Sequence, residues 1–173
     1  MQFPTIPGLR PTGDRIRETV FNWLTGDLAG ARVLDLFAGS GAMGFEALSR
    51  GANSAFFVDV NSEACRALLH SAKVLETSQT TVIQARAEGF LSSCKADINT
   101  LSSVDILFLD PPFEHNLLQS ICTQAADSGI LAAGALIYIE SPIDSNLSLP
   151  PKWTTLKRKT SGEVCYQLLQ STP

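Results

Sequence analysis

The sequence has no excess of positive charge and no long apolar run, and these absences bear on its class. Its 13 Lys and Arg residues stand against 17 Asp and Glu, a net charge of −4, so no global cationic field marks a nucleic-acid partner. No apolar stretch reaches the ~18 residues of a membrane span, and residues 1–11 lack the apolar core of a signal peptide. We therefore expect a cytoplasmic protein without a membrane partner.

Cysteine and histidine are too scarce for a recognisable metal site. The chain has 4 Cys and 2 His, and the cysteines lack C-x-x-C spacing. We predict no metal and reduced thiols that mostly pack in the interior, at Cys65, Cys94, Cys122 and Cys165. The length of 173 residues suits one compact domain, predicted over residues 1–173 with an extended segment at 1–13.

Short apolar runs alternate with segments of helical periodicity after an initial helix at 15–24. The runs predict buried strands at 32–37, 54–59, 80–85, 104–110 and 135–140. Helices are predicted between them at about 43–50, 62–75, 87–94 and 115–128. This order indicates an α/β fold with a mostly parallel sheet and helices on both faces. After the proline-containing loop at 141–153, two strands separated by about Gly162 predict a terminal antiparallel hairpin.

The stretch "DLFAGSGAMG" (35–44) is typical of a cofactor-binding turn. Gly39, Gly41 and Gly44 form G-x-G-x-x-G between a strand and a helix, where missing side chains let a ligand approach backbone N–H groups. Asp59, which ends the next strand, could accept hydrogen bonds from two ribose hydroxyls. The pattern favours an adenosine-containing cofactor, either a nicotinamide or S-adenosylmethionine. A tight turn without ligand is the structural alternative.

A second pattern, "LFLDPPF" (107–113), separates these cofactors because hydride transfer has no need of it. The exocyclic amine of a nucleobase is a poor nucleophile, since its lone pair is delocalised into the ring, and two acceptors holding its hydrogens turn that lone pair outward. The Asp110 carboxylate and the Pro111 carbonyl can be these acceptors, with Pro111 and Pro112 fixing the backbone. Phe113 can stack on the base. The pattern predicts an amine methyltransferase, and its structural alternative is a stiffened turn with Phe113 in the core.

Four stretches together resemble one family: "GLRPTGDRIRETVFNWL", "VLDLFAGSGAMGFEALSRGA", "LFLDPPF" and "ALIYIE". They are similar to the class I S-adenosylmethionine-dependent methyltransferases that modify the 2-amino group of a guanine in bacterial 16S ribosomal RNA. The resemblance runs from about Gly8 to the C-terminus. It implies a Rossmann-like, seven-stranded sheet, S-adenosyl-L-methionine as cofactor, and 16S rRNA within the 30S subunit or an assembly intermediate as partner. We predict a monomer.

The resemblance also implies roles for particular residues. It places Asp35, Gly39 and Gly41 at the methionine part of the cofactor, with Phe37 in the same loop, and Asp59 at the ribose. The adenine would be framed by Arg86 and Ala87. The catalytic tetrapeptide would be Asp110, Pro111, Pro112 and Phe113.

The RNA-binding residues are less sharply indicated. The resemblance implies a basic segment before "LRPT", whereas this chain opens with the uncharged "MQFPTIPG", so either the chain is trimmed or it grips RNA differently. Around the first helix, Arg10, Arg15 and Arg17 are candidates for phosphate contacts, and Asn22 either contacts substrate or caps a local turn. A second basic cluster lies at Lys152, Lys157, Arg158 and Lys159. A solvated charged face is the alternative for both clusters.

Three other functions are open on the sequence. A DNA or RNA adenine amino-methyltransferase shares the type of tetrapeptide, although 173 residues leave little room for a target-recognition region. A non-catalytic adenosine-ligand binding module and a nicotinamide oxidoreductase would share the glycine pattern. Neither of these two needs the Asp110–Phe113 tetrapeptide.

Overall fold

A computed structural model describes residues 13–96, 101, 103–112 and 117–172 of the chain. The chain divides into two compact units, Met1–Arg86 and Ala87–Pro173. The single domain predicted over residues 1–173 stays a prediction.

The first unit alternates helices with strands. Its elements are α1 Asp14–Trp23, β1 Arg32–Asp35, α2 Ala42–Ser49, β2 Ser54–Asp59, α3 Ser62–Val74 and β3 Thr80–Gln84. Both β1 and β3 pair with β2 in parallel. Helices α2 and α3 bury small and aromatic side chains against β2, in a core cluster of Ala38, Phe45, Ala55, Phe57, Leu68 and Ala72. This packing holds the turn between β1 and α2 in place.

The second unit ends in antiparallel structure. Its elements are α4 Ala87–Ala96, β4 Val104–Leu109, α5 Leu117–Asp127, β5 Leu131–Pro142, β6 Trp153–Ser161 and β7 Val164–Ser171. Strand β4 pairs with β5 in parallel, whereas β7 lies antiparallel to both β5 and β6. The side chains of β4 are almost all buried, as expected for an apolar strand covered on both faces.

The strands form one seven-stranded sheet in the order β3-β2-β1-β4-β5-β7-β6. This confirms the predicted α/β fold with flanking helices and an antiparallel C-terminal hairpin. Gly162 lies in the hairpin turn, as predicted, and its φ of +58° explains why a glycine stands there.

Strands β3 and β4 each end one residue earlier than predicted, and two strands differ more from their predicted bounds. Strand β1 ends at Asp35 instead of residue 37, because the Phe37 N–H bonds back to the Asp35 carboxylate and so leaves the strand ladder. Strand β5 covers Leu131–Pro142 instead of 135–140, since Leu131 already pairs with Val104 of β4 and the pairing with β7 continues to Pro142. The apolar pattern alone marks only the buried centre of β5.

Among the described residues, no helix has the length and apolar character needed to span a membrane. In the same residues no group of three or more His, Cys, Asp or Glu is arranged to hold a metal ion. All four cysteines are free thiols with buried side chains.

Candidate active site

The glycine loop, residues 36–41, joins β1 to α2 through backbone that only glycine adopts readily. Gly39 has φ of +49° and Gly41 has φ of +78°, and the Gly41 N–H donates to the Ala38 carbonyl at 2.7 Å. A Cβ on Gly41 would also lie 2.5 Å from Leu68 Cδ2. Both glycines are therefore required by the turn itself, whether or not a ligand is bound.

Asp35 holds this loop from the inside. Its side chain is 4% exposed, and its carboxylate accepts hydrogen bonds from the backbone N–H groups of Phe37 and Gly44. Burial raises the pKa of Asp35 to about 7, with a smaller contribution from the negative charge of Asp59, while the two backbone hydrogen bonds act in the opposite direction. Asp35 thus ties the end of β1 to both sides of the turn.

Asp59 holds the loop from the other side, at the end of β2. The Gly39 N–H donates to its Oδ2 at 2.8 Å, and the Asn61 N–H donates to its Oδ1 at 2.8 Å. The Asp59 carbonyl accepts the Ala85 N–H at 3.0 Å. A carboxylate has about four acceptor sites, so each oxygen can still accept a ribose hydroxyl. The acceptor chemistry at Asp59 therefore fits the adenosine cofactor.

The structure brings together Asp35, Gly39, Gly41 and Asp59 of the predicted cofactor residues. Phe37 lies half-buried in the same loop. Arg86 is exposed two residues beyond β3, at the end of the first unit, and the buried Ala87 begins α4 of the second unit. The predicted contacts of these residues with a cofactor stay predictions.

The tetrapeptide begins directly after β4. Asp110 is half-buried, Pro111 is buried and Pro112 is exposed, whereas Phe113 lies outside the described residues, as does His115. The carbonyl of Pro111 stands between two prolines whose φ angles are fixed, so its direction is set at low entropic cost. A carboxylate and a carbonyl are thus presented at the end of a rigid, buried strand.

A buried hydrogen-bonded pair on β5, Tyr138 and Glu140, was not predicted from the sequence. The fully buried Tyr138 donates from its hydroxyl to Glu140 Oε1 at 2.6 Å, and Glu140 is 5% exposed. The last aligned pair of β4 and β5 is Leu109 and Ile139. Asp110 and Glu140 are the residues that follow this pair, one after each strand position. Burial and the charges of Glu140 and Asp110 raise the pKa of Tyr138 above its ordinary value. The acid that ends the apolar run "ALIYIE" is the signal that could have found this pair.

The predicted substrate residues lie on or before α1. Arg15 and Asn22 are exposed and seven residues apart, which places them on one face of the helix. Arg17 donates to Asp14 Oδ1 at 2.8 Å in an ion pair. Arg10 lies outside the described residues. The contacts of these four residues with RNA stay predictions.

The sheet order, the glycine loop and the acids that end β1 and β2 define the fold of the class I methyltransferases. The chain belongs to the family described as "Conserved hypothetical protein 95", whose sequence model matches residues 1–170. It is 40% identical over 168 residues to "Ribosomal RNA small subunit methyltransferase D" of Escherichia coli (strain K12), covering 96% of this chain and 82% of that relative. These findings confirm the predicted family and identify the chain as a methyltransferase.

Solved structures show the same fold. An Escherichia coli chain named yhhF superposes with a TM-score of 0.87 at 39% identity, over 97% of this chain and 90% of that one. SMU.776, described as complexed with SAH, superposes with a TM-score of 0.72 at 18% identity, over 94% of this chain and 50% of that one. The second likeness concerns the fold alone.

Proposed function

We propose that this protein transfers a methyl group from S-adenosyl-L-methionine to the exocyclic 2-amino group of a guanine in 16S ribosomal RNA. The observation that carries the proposal is the Asp110-Pro111-Pro112 segment that directly follows β4. It presents two acceptors for an amine in a chain whose relative is named for small-subunit ribosomal RNA. The setting we propose is a cytoplasmic monomer acting on the 30S subunit or an assembly intermediate.

In this proposal the glycine loop and Asp59 hold the cofactor. Asp59 would accept the ribose hydroxyls with the lone pairs left free by the Gly39 and Asn61 N–H groups. The backbone of Gly39 and Gly41 would lie against the methionine part. When bound, the cofactor supplies an electrophilic methyl group. Because Asp35 and Asp59 fix the loop through backbone hydrogen bonds, the binding surface is organised before the cofactor arrives.

The tetrapeptide would act on the amine. The Asp110 carboxylate and the Pro111 carbonyl accept one hydrogen each, which favours the geometry in which the nitrogen lone pair leaves the ring conjugation. The hydrogen bonds from the amine to these two acceptors strengthen as the nitrogen loses conjugation and gains positive charge. They therefore stabilise the transition state more than the ground state. Phe113 would stack on the base, which has to be flipped out of its stack or already exposed.

The test is to map the product. Wild-type protein is incubated with labelled S-adenosylmethionine and 30S particles that lack native methylation, and the labelled nucleoside is identified by mass spectrometry and located by primer extension. We expect a single 2-methylguanosine in 16S rRNA, negligible transfer to a free ten-base RNA, and none to DNA. Efficient labelling of adenine in duplex DNA would instead support the adenine methyltransferase, and label in no nucleic acid would contradict the proposal.

A further inference from the structure

Strand β6 carries a concentration of positive charge that the proposed mechanism does not use. Four of the 13 basic residues of this acidic chain fall within eight positions that begin one residue before β6, and all four are exposed: Lys152, Lys157, Arg158 and Lys159. No Asp or Glu occurs between Asp144 and Glu163. The strand is therefore a local cationic surface on a molecule of net charge −4.

The strand displays these cations along an open edge. Strand β6 comes last in the sheet order and pairs with β7 alone among the described strands. Lys157 lies opposite Leu168 and Lys159 opposite Tyr166, so the two lysines share one face, roughly 6.6 Å apart along the strand. Arg158 lies on the other face, where its Nε donates to Cys165 Sγ at 3.2 Å. Lys157 and Lys159 are therefore the two neighbouring cations on one face of the edge strand.

Hydroxyl groups flank these cations. Thr154 and Thr155 precede them, and Thr160 and Ser161 follow them, all exposed. Lysine with serine and threonine is the composition that contacts phosphate oxygens in nucleic-acid interfaces, because each of these side chains donates without carrying negative charge. The open edge of β6 adds backbone N–H donors to the same surface.

The first basic cluster differs in its charge balance. Helix α1 carries Arg15 and Arg17 together with Asp14 and Glu18, and Arg17 is ion-paired to Asp14. No ion pair involves a β6 cation within the described residues. The excess positive charge that attracts a polyanion is thus on β6 and not on α1.

We propose that the outer edge of β6 binds the phosphodiester backbone of the RNA substrate, with Lys157 and Lys159 each neutralising one phosphate. The proposal rests on the proposed function in one respect, that ribosomal RNA is the substrate. It adds where the RNA is held. Binding here is independent of base sequence, so β6 contributes affinity and orientation while the tetrapeptide supplies the chemistry.

The test compares two charge-matched variants. Lys157→Gln/Lys159→Gln removes two cations from β6, and the control Lys73→Gln/Lys95→Gln removes two exposed cations from α3 and α4. For both we measure the Kd for 30S particles as a function of salt, the KM and kcat of methylation, and the Kd for S-adenosylmethionine. We expect the β6 variant to bind 30S about tenfold more weakly, with a log–log salt slope smaller by about two and unchanged cofactor affinity. The control should match wild type.

Three outcomes separate the possibilities. If wild type binds 30S but methylates nothing, the proposed function fails, while the ratio of Kd values still decides the role of β6. If both variants bind 30S like wild type with equal salt slopes, the β6 proposal is wrong. Self-association of the β6 variant with unchanged RNA affinity would overturn it too, since the lysines would then serve only to protect a sheet edge.

Discussion

The two compact units each carry two carboxylates at or near the C-terminal ends of parallel strands, but the carboxylates bond to different partners. In the first unit, Asp35 and Asp59 both accept backbone N–H groups and thereby shape the glycine loop. In the second unit, Glu140 accepts a tyrosine hydroxyl, and Asp110 stands half-buried beyond the end of β4. The first pair thus shapes the backbone of the glycine loop, whereas Glu140 holds a buried side chain.

This difference predicts different phenotypes. Variants of the first pair should change the stability of the fold and the affinity for cofactor, since the loop depends on them. Variants of Asp110 should change turnover with little effect on cofactor affinity, whereas variants of the buried Tyr138–Glu140 pair should lower stability. The predictions below test this division.

The largest effect is expected in the pH dependence of stability. The pKa of Asp35 is raised to about 7 in the folded protein, so between about pH 4 and 7 the folded state holds a proton that the unfolded state has lost. The stabilising contribution of protonated Asp35 is complete below pH 4 and is lost as the pH rises through 7, at about 1.4 kcal/mol per pH unit. Over this window the loss is about 4 kcal/mol.

Urea unfolding of wild type and Asp35→Asn between pH 4 and 8 checks this. The asparagine cannot ionise, so the stability of wild type relative to the variant should fall across the window and level off above pH 7. A constant difference would mean that the carboxylate is ionised throughout, and that its backbone hydrogen bonds outweigh its burial.

Catalysis should be most sensitive to Asp110. Asp110→Ala removes an acceptor that matters most as the amine loses conjugation, so kcat should fall by about a hundredfold or more, while the Kd for S-adenosylmethionine stays within about twofold. Single-turnover methylation of 30S particles and calorimetry provide the two measurements. A near wild-type rate would make Asp110 structural and break the division between the units.

Asp59→Ala should weaken binding of S-adenosylmethionine by about 1–3 kcal/mol, the cost of losing charge-assisted hydrogen bonds. Part of this loss comes from the loop, because the Gly39 N–H loses its acceptor. Asp59→Asn is the matched control, since its single amide oxygen can still accept one hydrogen bond, and it should bind with intermediate affinity in calorimetry. Unchanged affinity in both variants would place the cofactor elsewhere.

The smallest effect is expected from the buried pair on β5. Tyr138→Phe removes the hydroxyl that donates to Glu140, which should lower the unfolding free energy by about 1–2 kcal/mol. A double-mutant cycle with Glu140→Gln isolates the pair, and we expect a coupling energy of at least about 0.5 kcal/mol. Additive effects in chemical denaturation would show that the hydroxyl and the carboxylate act independently.

The geometry of the glycine loop could be predicted because its requirements are local. Backbone with positive φ favours glycine, and the glycines at positions 39 and 41 mark in the sequence the two positions where the loop has positive φ. The strand ends at Asp59 and Asp110 were equally visible, because an apolar run followed by an acid marks the end of a buried strand.

The Tyr138–Glu140 hydrogen bond and the ion pair on α1 were not predicted, although the spacing of two residues on a strand and of three on a helix allows each. In the sequence Tyr138 looks like one more apolar residue of β5, and its hydroxyl gains meaning only when the alternation of the strand puts Glu140 on the same face. Similarly, the ion pair of Arg17 with Asp14 is seen only in the structure, and the predicted contact of Arg17 with RNA stays a prediction. Both depend on side-chain directions, which composition and spacing leave undetermined.

The third glycine of the motif has a consequence for motion. A Cβ on Gly44 would collide with the ring of Phe57. The centroids of the Phe45 and Phe57 rings are 4.7 Å apart. The fully buried Phe57 ring is therefore pressed against the backbone of α2, and it can rotate by 180° only when α2 moves away from β2. The flip rate of this ring, measured from its aromatic resonances in NMR, should report how often α2 separates from β2 beneath the glycine loop. We expect the flip rate to fall when S-adenosylmethionine binds.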